Sequence, residues 1–246
     1  MSTSFPWGAD KPSTLAWRGE IEKTAPPATI HFQQSGMIEL YSWTTPNGHK
    51  IHIMLEETGL PYRVHKINLG AKEQTRPEYL KVNPNGKIPA IIDTDGPDGK
   101  PLAIFESAAI LVHLAQKSGK FLPTEPRARY ATLEWLMFQI ANIGPMYGQA
   151  FHFRSVAPER VPYAIDRYTN EVGRLLGVLD KRLSDNAYLA GAEYTIADIA
   201  CWTWVRNSHS FGFNMENYPN VQRWSAAIAE RPAVRRGLKA LEKVAA

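Results

Sequence analysis

One cysteine in 246 residues leaves Cys201 without a partner for an internal disulfide, which fits a chain kept in a reducing cytoplasm. It stands in the apolar helical run Ile199-Ala200-Cys201-Trp202, so its thiol is expected to be buried and inert. No stretch approaches the ~18 apolar residues a membrane helix needs. Residues 1–35 carry interspersed charges and prolines without an apolar core, so no secretory leader is expected. Charge of one sign is also scarce. The 28 Lys and Arg against 24 Asp and Glu leave a formal +4, with no basic stripe, so nucleic acid is not an expected partner. The basic residues of 231–243 read as a solvated helix face. His49-x-x-His52 lacks a carboxylate or cysteine to complete a ligand set, so no metal is expected and both rings are assigned surface or capping roles.

What is present is ordinary for a globular protein: 44% apolar and 21% charged residues, in a chain long enough for one large domain or two modest ones. Residues 1–36, rich in Pro, Ser and Thr, show no sustained periodicity and read as an extended arm. Trp7, Trp17 and Phe32 make it apolar enough to drape over the folded body. Residues 37–120 then alternate between periods. Strands are expected at 38–43, 62–67, 88–93 and 102–105. Helices are expected at 48–58, with Ile51, Met54 and Leu55 on one face, and at 77–81 and 107–118. Asp95-Gly96-Pro97-Asp98-Gly99 marks a hairpin. The order β-α-β-α-β-β-α predicts an α/β domain with a thioredoxin-like sheet. Residues 121–127 hold two prolines and read as a linker. From 128 to 246 every periodic segment is helical, at 128–151, 162–184, 196–207, 221–230 and 233–243, which predicts an all-α C-terminal helical bundle. Within it Thr195-Ile196-Ala197-Asp198 is a capping box, so Asp198 is assigned to folding rather than to acid catalysis.

The chemistry concentrates in Asn83-Pro84-Asn85-Gly86-Lys87-Ile88-Pro89-Ala90 and Phe105-Glu106-Ser107. Pro89 cannot donate to a strand ladder, so it belongs at the first residue of a strand or in a turn. A cis bond before it would turn the Ile88 backbone outward to pair with an extended peptide. Glu106 and Ser107 open a helix, where a carboxylate and a hydroxyl beside free N–H groups can hold an amino group and a carboxylate together. Lys87 adds a cation for a second carboxylate. A short peptide with one ammonium and two carboxylates fits this set, and glutathione is such a peptide.

Glutathione supplies its own thiol, which titrates near ~8.5, and lowering that by two units requires ~2.7 kcal/mol of preference for the thiolate. A hydrogen bond to a charged acceptor contributes roughly 1.5–3 kcal/mol, so one or two donors suffice. Thr45 and Asn47 follow the first strand at the start of the first helix, whose N-terminus favours an anion, and are the candidate donors. Tyr41 and Ser42 sit earlier, on the strand itself.

These motifs together resemble the glutathione transferase superfamily over about residues 37–243. Thr45-Pro46-Asn47-Gly48-His49-Lys50 and Gln74-x-Arg76-Pro77-Glu78 look like its nu class. The resemblance implies a thioredoxin-like domain with a cis-proline before the third strand and Glu-Ser at the third helix. It implies a site of Thr45, Asn47, Gln74, Lys87, Ile88, Glu106, Ser107 and Arg167. In that set Gln74 contacts the glycyl end and Arg167 reaches the pocket from the helical domain. Read without the resemblance, Arg167 pairs with Asp166 or Glu171. The resemblance also implies glutathione as co-substrate, as one disulfide or two thiols per site, and a homodimer. The activities it implies are reduction of small-molecule disulfides, reduction of organic hydroperoxides and weak conjugation. With no cysteine near the first helix, disulfide chemistry would use glutathione thiolates directly. A non-catalytic glutathione-binding regulator is the alternative. Residues 151–153 fall where such proteins hold the second substrate.

Overall fold

The structure, a computed structural model, describes residues 36–242. The arm read from residues 1–36 lies outside the described residues except for Gly36, as does the last residue of the helix read over 233–243.

Strands β1 (Ile38–Ser42), β2 (Tyr62–Lys66), β3 (Ala90–Asp93) and β4 (Leu102–Phe105) form one sheet in the order β2-β1-β3-β4. β1 is parallel to β2 and antiparallel to β3, and β3 is antiparallel to β4. Ile38, Leu40 and Ile91 are fully buried, as inner strands covered by other elements require. β3 begins at Ala90 rather than at 88, because Pro89 has no N–H for the ladder. The Ile88-Pro89 peptide bond is cis. Helices α1 (Pro46–Thr58), α2 (Pro77–Leu80) and α3 (Ser107–Ser118) complete this half. It has the α/β order expected from the sequence, and an all-helical half follows.

α1 starts two residues before the expected 48, with Pro46 in its first turn and Thr45 as its cap. It is enclosed by α3, α7 (Ile196–Val205) and α9 (Pro232–Leu238), and every residue from 48 to 55 is buried. A Cβ at Gly48 would stand 2.2 Å from the Trp43 carbonyl oxygen, so glycine is what lets α1 turn off β1 so tightly. That close turn holds Thr45 and Asn47 against the end of the sheet.

The remaining helices are α4 (Pro126–Phe138), α5 (Gly144–Phe151), α6 (Pro162–Ser184) and α8 (Pro219–Ala229). The sequence reads a single helix over 128–151. The structure instead separates α4 from α5 by a wide π-type turn at Gln139–Ile143 and adds another at His152–Val156. Pro145 accounts for the first. It cannot donate to the carbonyl four residues back and its ring crowds that carbonyl, so the helix opens just before it. The helix begins at Pro126, inside the segment read as a linker. Among the described residues no helix is long and apolar enough to cross a membrane.

Candidate functional site

Where α1 begins, a cavity of about 620 Å³ lies between the sheet half and the helical half. One wall is Thr45, Pro46 and Asn47, with Gln74 from a single 3-10 turn and Lys87 and Ile88 from the loop before β3. The other is Phe151 and Arg154 around the end of α5, Trp204 on α7, and Phe211 just beyond it. Five of the residues singled out from the sequence therefore line one cavity. Aromatic surface faces them.

Thr45 Oγ1 accepts the Gly48 N–H at 3.1 Å, which caps α1 and leaves the hydroxyl proton free to donate. Asn47 Oδ1 accepts the Trp204 indole N–H at 3.1 Å. Its Nδ2 has no protein partner among the described residues. A hydroxyl and an amide are thus both available as donors at the N-terminus of a thirteen-residue helix, where the backbone also favours an anion. Tyr41 is a poor rival. It stacks on His65 at 4.6 Å between centroids, and burial, with Glu39 adding to it, pushes its phenol above the ordinary range. Ser42 is fully buried.

Gln74 Oε1 is buried in the cavity wall without a hydrogen bond, which is what an acceptor waiting for a ligand N–H looks like. Lys87 is exposed, and its carbonyl accepts from Tyr79 Oη at 2.5 Å and Asn83 Nδ2 at 2.6 Å. These bonds fix the loop that carries Ile88.

Glu106 and Ser107 lie beside this wall rather than in it. β4 pairs Phe105 with Ala90, so the chain leaves the sheet next to Pro89 and enters α3 at Ser107. Glu106 is exposed and adopts φ +70°, a conformation uncommon for a side-chain-bearing residue and often found at functional sites. Ser107 is buried, and its Oγ accepts from Lys50 Nζ at 3.1 Å. Lys50 also donates to Gln139 Oε1 at 2.6 Å across the two halves. Burial pushes the Lys50 ammonium down to about 7, only partly opposed by Cys201 and Glu106. Because Lys50 occupies a lone pair of Ser107, the serine proton is left to point elsewhere.

Arg167 is placed apart from this group. It lines a separate depression with Met146, Tyr163, Asp166 and Arg174, on the side of α6 away from the buried Val172 and Leu175. Glu171 is taken by Arg174 at 2.7 and 2.8 Å. The guanidinium in the cavity wall is Arg154, whose Nη1 donates to Thr169 Oγ1 at 3.3 Å.

His49 and His52 are corrected by the structure. Both are buried, with ring centroids 5.6 Å apart, because α1 is covered all round and has no surface face at their height. Burial holds them neutral, at about 4 and about 3, with Arg206 acting on His49 and His49 on His52 in the same direction. Cys201 is fully buried, its thiol pushed up by burial, and it is not part of the cavity. The residues the sequence reading did not single out are Arg154, Trp204, Phe211 and Lys50. Of these only Lys50 stood within a quoted motif, and nothing in that motif signals its burial.

The chain is similar to known proteins in both sequence and structure. The family model described as glutathione S-transferase, N-terminal domain, matches residues 44–117, and that of the C-terminal domain matches residues 144–232. A curated relative, the disulfide-bond oxidoreductase YfcG of Escherichia coli, is 50% identical over 82% of this chain and 94% of its own length. A glutathione transferase from Burkholderia graminis, solved with two glutathione molecules per subunit, superposes with a TM-score of 0.82 at 47% identity, covering 85% of this chain and 90% of that one. Another, from Pseudomonas putida with one glutathione disulfide per subunit, gives 0.79 at 47% identity over 83% and 91%.

Proposed function

Since this chain belongs to the glutathione S-transferase family, we propose that it is a glutathione-dependent disulfide-bond oxidoreductase whose cavity holds two glutathione sulfurs in turn. The observation that carries this reading is the pair of free donors, Thr45 Oγ1 and Asn47 Nδ2, at the start of α1, with no sulfur of the described residues in the cavity wall beside them. Residues 37–120 bind the first glutathione. Residues 128–246 close the cavity over it and receive the second substrate, with 121–127 as the connection.

In the first step a glutathione thiolate, stabilised by Asn47 and Thr45, attacks one sulfur of a small disulfide. A glutathione mixed disulfide forms and a thiolate leaves. A second glutathione thiolate then attacks the glutathione sulfur of the mixed disulfide, forming glutathione disulfide and releasing the other half of the substrate as a thiolate. Two glutathiones are oxidised by two electrons in all, and the released thiolates take up the protons. The protein supplies anion stabilisation and the alignment of sulfurs. Gln74 and the Ile88 backbone hold the peptide part, Lys87 a carboxylate, and Glu106 and Ser107 the γ-glutamyl end. Arg154 offers a fork for a carboxylate of the second glutathione.

Organic hydroperoxides react by the same route. The thiolate attacks the distal oxygen, an alcohol leaves, and the second glutathione converts the resulting sulfenic acid to the disulfide and water. Conjugation to carbon electrophiles is a weak side activity. Chemistry that consumes reduced glutathione belongs in a reducing compartment, the cytoplasm. Coupled assays with hydroxyethyl disulfide and cumene hydroperoxide are expected to show turnover of both. No turnover of either at saturating glutathione would end the enzymatic reading.

The protein acts as a homodimer. Tyr130 and Met137 on α4 and Tyr163 on α6 remain exposed, large side chains that contact with a second copy would cover. Light scattering at micromolar concentration is expected to give twice the 27.6 kDa chain mass, and a monomer mass would contradict it.

A further inference from the structure

We propose that Trp204 is a positioning residue, whose indole N–H fixes the Asn47 amide so that its NH2 group, not its oxygen, faces the glutathione sulfur. An amide side chain has two ends of nearly equal size and opposite hydrogen-bonding sense. Near a thiolate, one end attracts and the other repels. The indole nitrogen can only donate, so the end of Asn47 that meets Trp204 at 3.1 Å must be the oxygen. The NH2 is then left for the cavity that both residues line.

The indole is itself held in place. It lies along the glycine face of α5, where a Cβ at Gly144 would stand 3.7 Å from Nε1 and one at Gly148 3.8 Å from the far edge of the ring. The Tyr147 ring meets it edge-on at 6.5 Å. Trp204 rides on α7, which the Thr195–Asp198 capping box starts. The helical half therefore sets the direction of a donor that belongs to the sheet half. This also explains why sequence spacing gives no hint of the pair, since 157 residues separate its members.

The inference rests on the reading of Asn47 as the thiolate donor. The experiment is a pH titration of the thiolate ultraviolet absorbance of glutathione bound to the full chain, with no second substrate present. Trp204→Phe keeps one aromatic ring and removes the five-membered ring with its N–H. The bound thiol is expected to titrate higher by about 0.5–1 unit, with turnover at neutral pH down by up to roughly threefold to tenfold and the glutathione KM near its parental value. Asn47→Ala should raise the thiol pKa further, and Trp204→Phe should add nothing in the Asn47→Ala background. Asn47→Asp keeps the acceptor for Trp204 and turns an oxygen toward the sulfur. It is expected to raise the thiol pKa beyond Asn47→Ala, and it serves if Trp204→Phe fails to fold. If Asn47→Ala shifts the thiol while Trp204→Phe does not, or if their effects multiply, or if Asn47→Asp titrates like the parent, the positioning role is wrong. If Asn47→Ala itself shifts nothing, the donor reading falls and takes this inference with it.

Discussion

Asn47→Ala is expected to cut turnover of a small disulfide by roughly 10- to 150-fold while leaving glutathione affinity close to parental, the loss of one charge-assisted bond of about 1.5–3 kcal/mol. The sign follows from where the bond acts. In the proposed mechanism Nδ2 would meet a sulfur that is neutral in free glutathione and anionic when it attacks, so the interaction would favour the reactive form over bound glutathione as a whole. The other end of the Asn47 amide, Oδ1, is occupied by Trp204. Ser107→Ala serves as the contrasting control. Ser107 sits at the start of α3 with one lone pair held by Lys50, on the part of the site assigned to the peptide's γ-glutamyl end, so its loss should raise the glutathione KM instead of lowering kcat. Steady-state kinetics on both variants separate the roles. Unchanged turnover in Asn47→Ala, together with loss of turnover in Tyr41→Phe or Ser42→Ala, would overturn both the mechanism and the class resemblance.

The sheet half was legible because its signals are local. Pro89 marks the start of β3, the Asp95–Gly99 turn marks the β3–β4 hairpin, and Glu106-Ser107 marks the start of α3. Each depends on a residue type whose backbone or capping chemistry acts within a few positions. Lys87 and Ile88 adjoin Pro89, Thr45 and Asn47 flank the start of α1, Gln74 lies in the loop after β2, and the fold brings all five to one cavity.

What escaped the reading depends on packing between distant segments. The 3.6-residue period of α1 found Ile51, Met54 and Leu55 but not that Lys50 and His52 are equally buried, because a helix wrapped by α3, α7 and α9 has no polar side to reveal. The arginine in the cavity is a case of altered aim. After the wide turn at Gln139–Ile143 each later residue is rotated by one position, about 100°, relative to an unbroken helix. Which face carries Arg154 cannot be counted from α4, and the second wide turn at His152–Val156 is where Arg154 itself sits. Trp204 meets Asn47 only because two halves of the chain dock.

Asp198→Ala is expected to cost about 3–5 kcal/mol of folding stability, a large part of the ~5–15 kcal/mol that holds a typical domain together. The carboxylate is wholly buried and all of its hydrogen bonds are structural. Oδ1 accepts the Leu189 N–H and the Trp224 indole N–H, both at 2.9 Å. Oδ2 accepts the Thr195 N–H at 2.9 Å and the Thr195 hydroxyl at 3.1 Å. Removing it leaves three buried N–H groups without partners, each costing about 1–3 kcal/mol before relaxation, so the loss exceeds that of an ordinary helix cap. Asp198→Asn should be nearly as harmful, since an amide offers one acceptor where two are used and aims its own N–H groups at other donors. Trp224→Phe frees a single lone pair and also opens a small cavity where the second ring of the indole was, and it should still cost less. Because α7 carries Trp204, partial loosening at Asp198 should also raise the titration of bound glutathione before the fold is lost. Denaturant midpoints of the three variants provide the measurement, and an Asp198→Ala protein within about 1 kcal/mol of the parent would show that the box does not hold the helical half together.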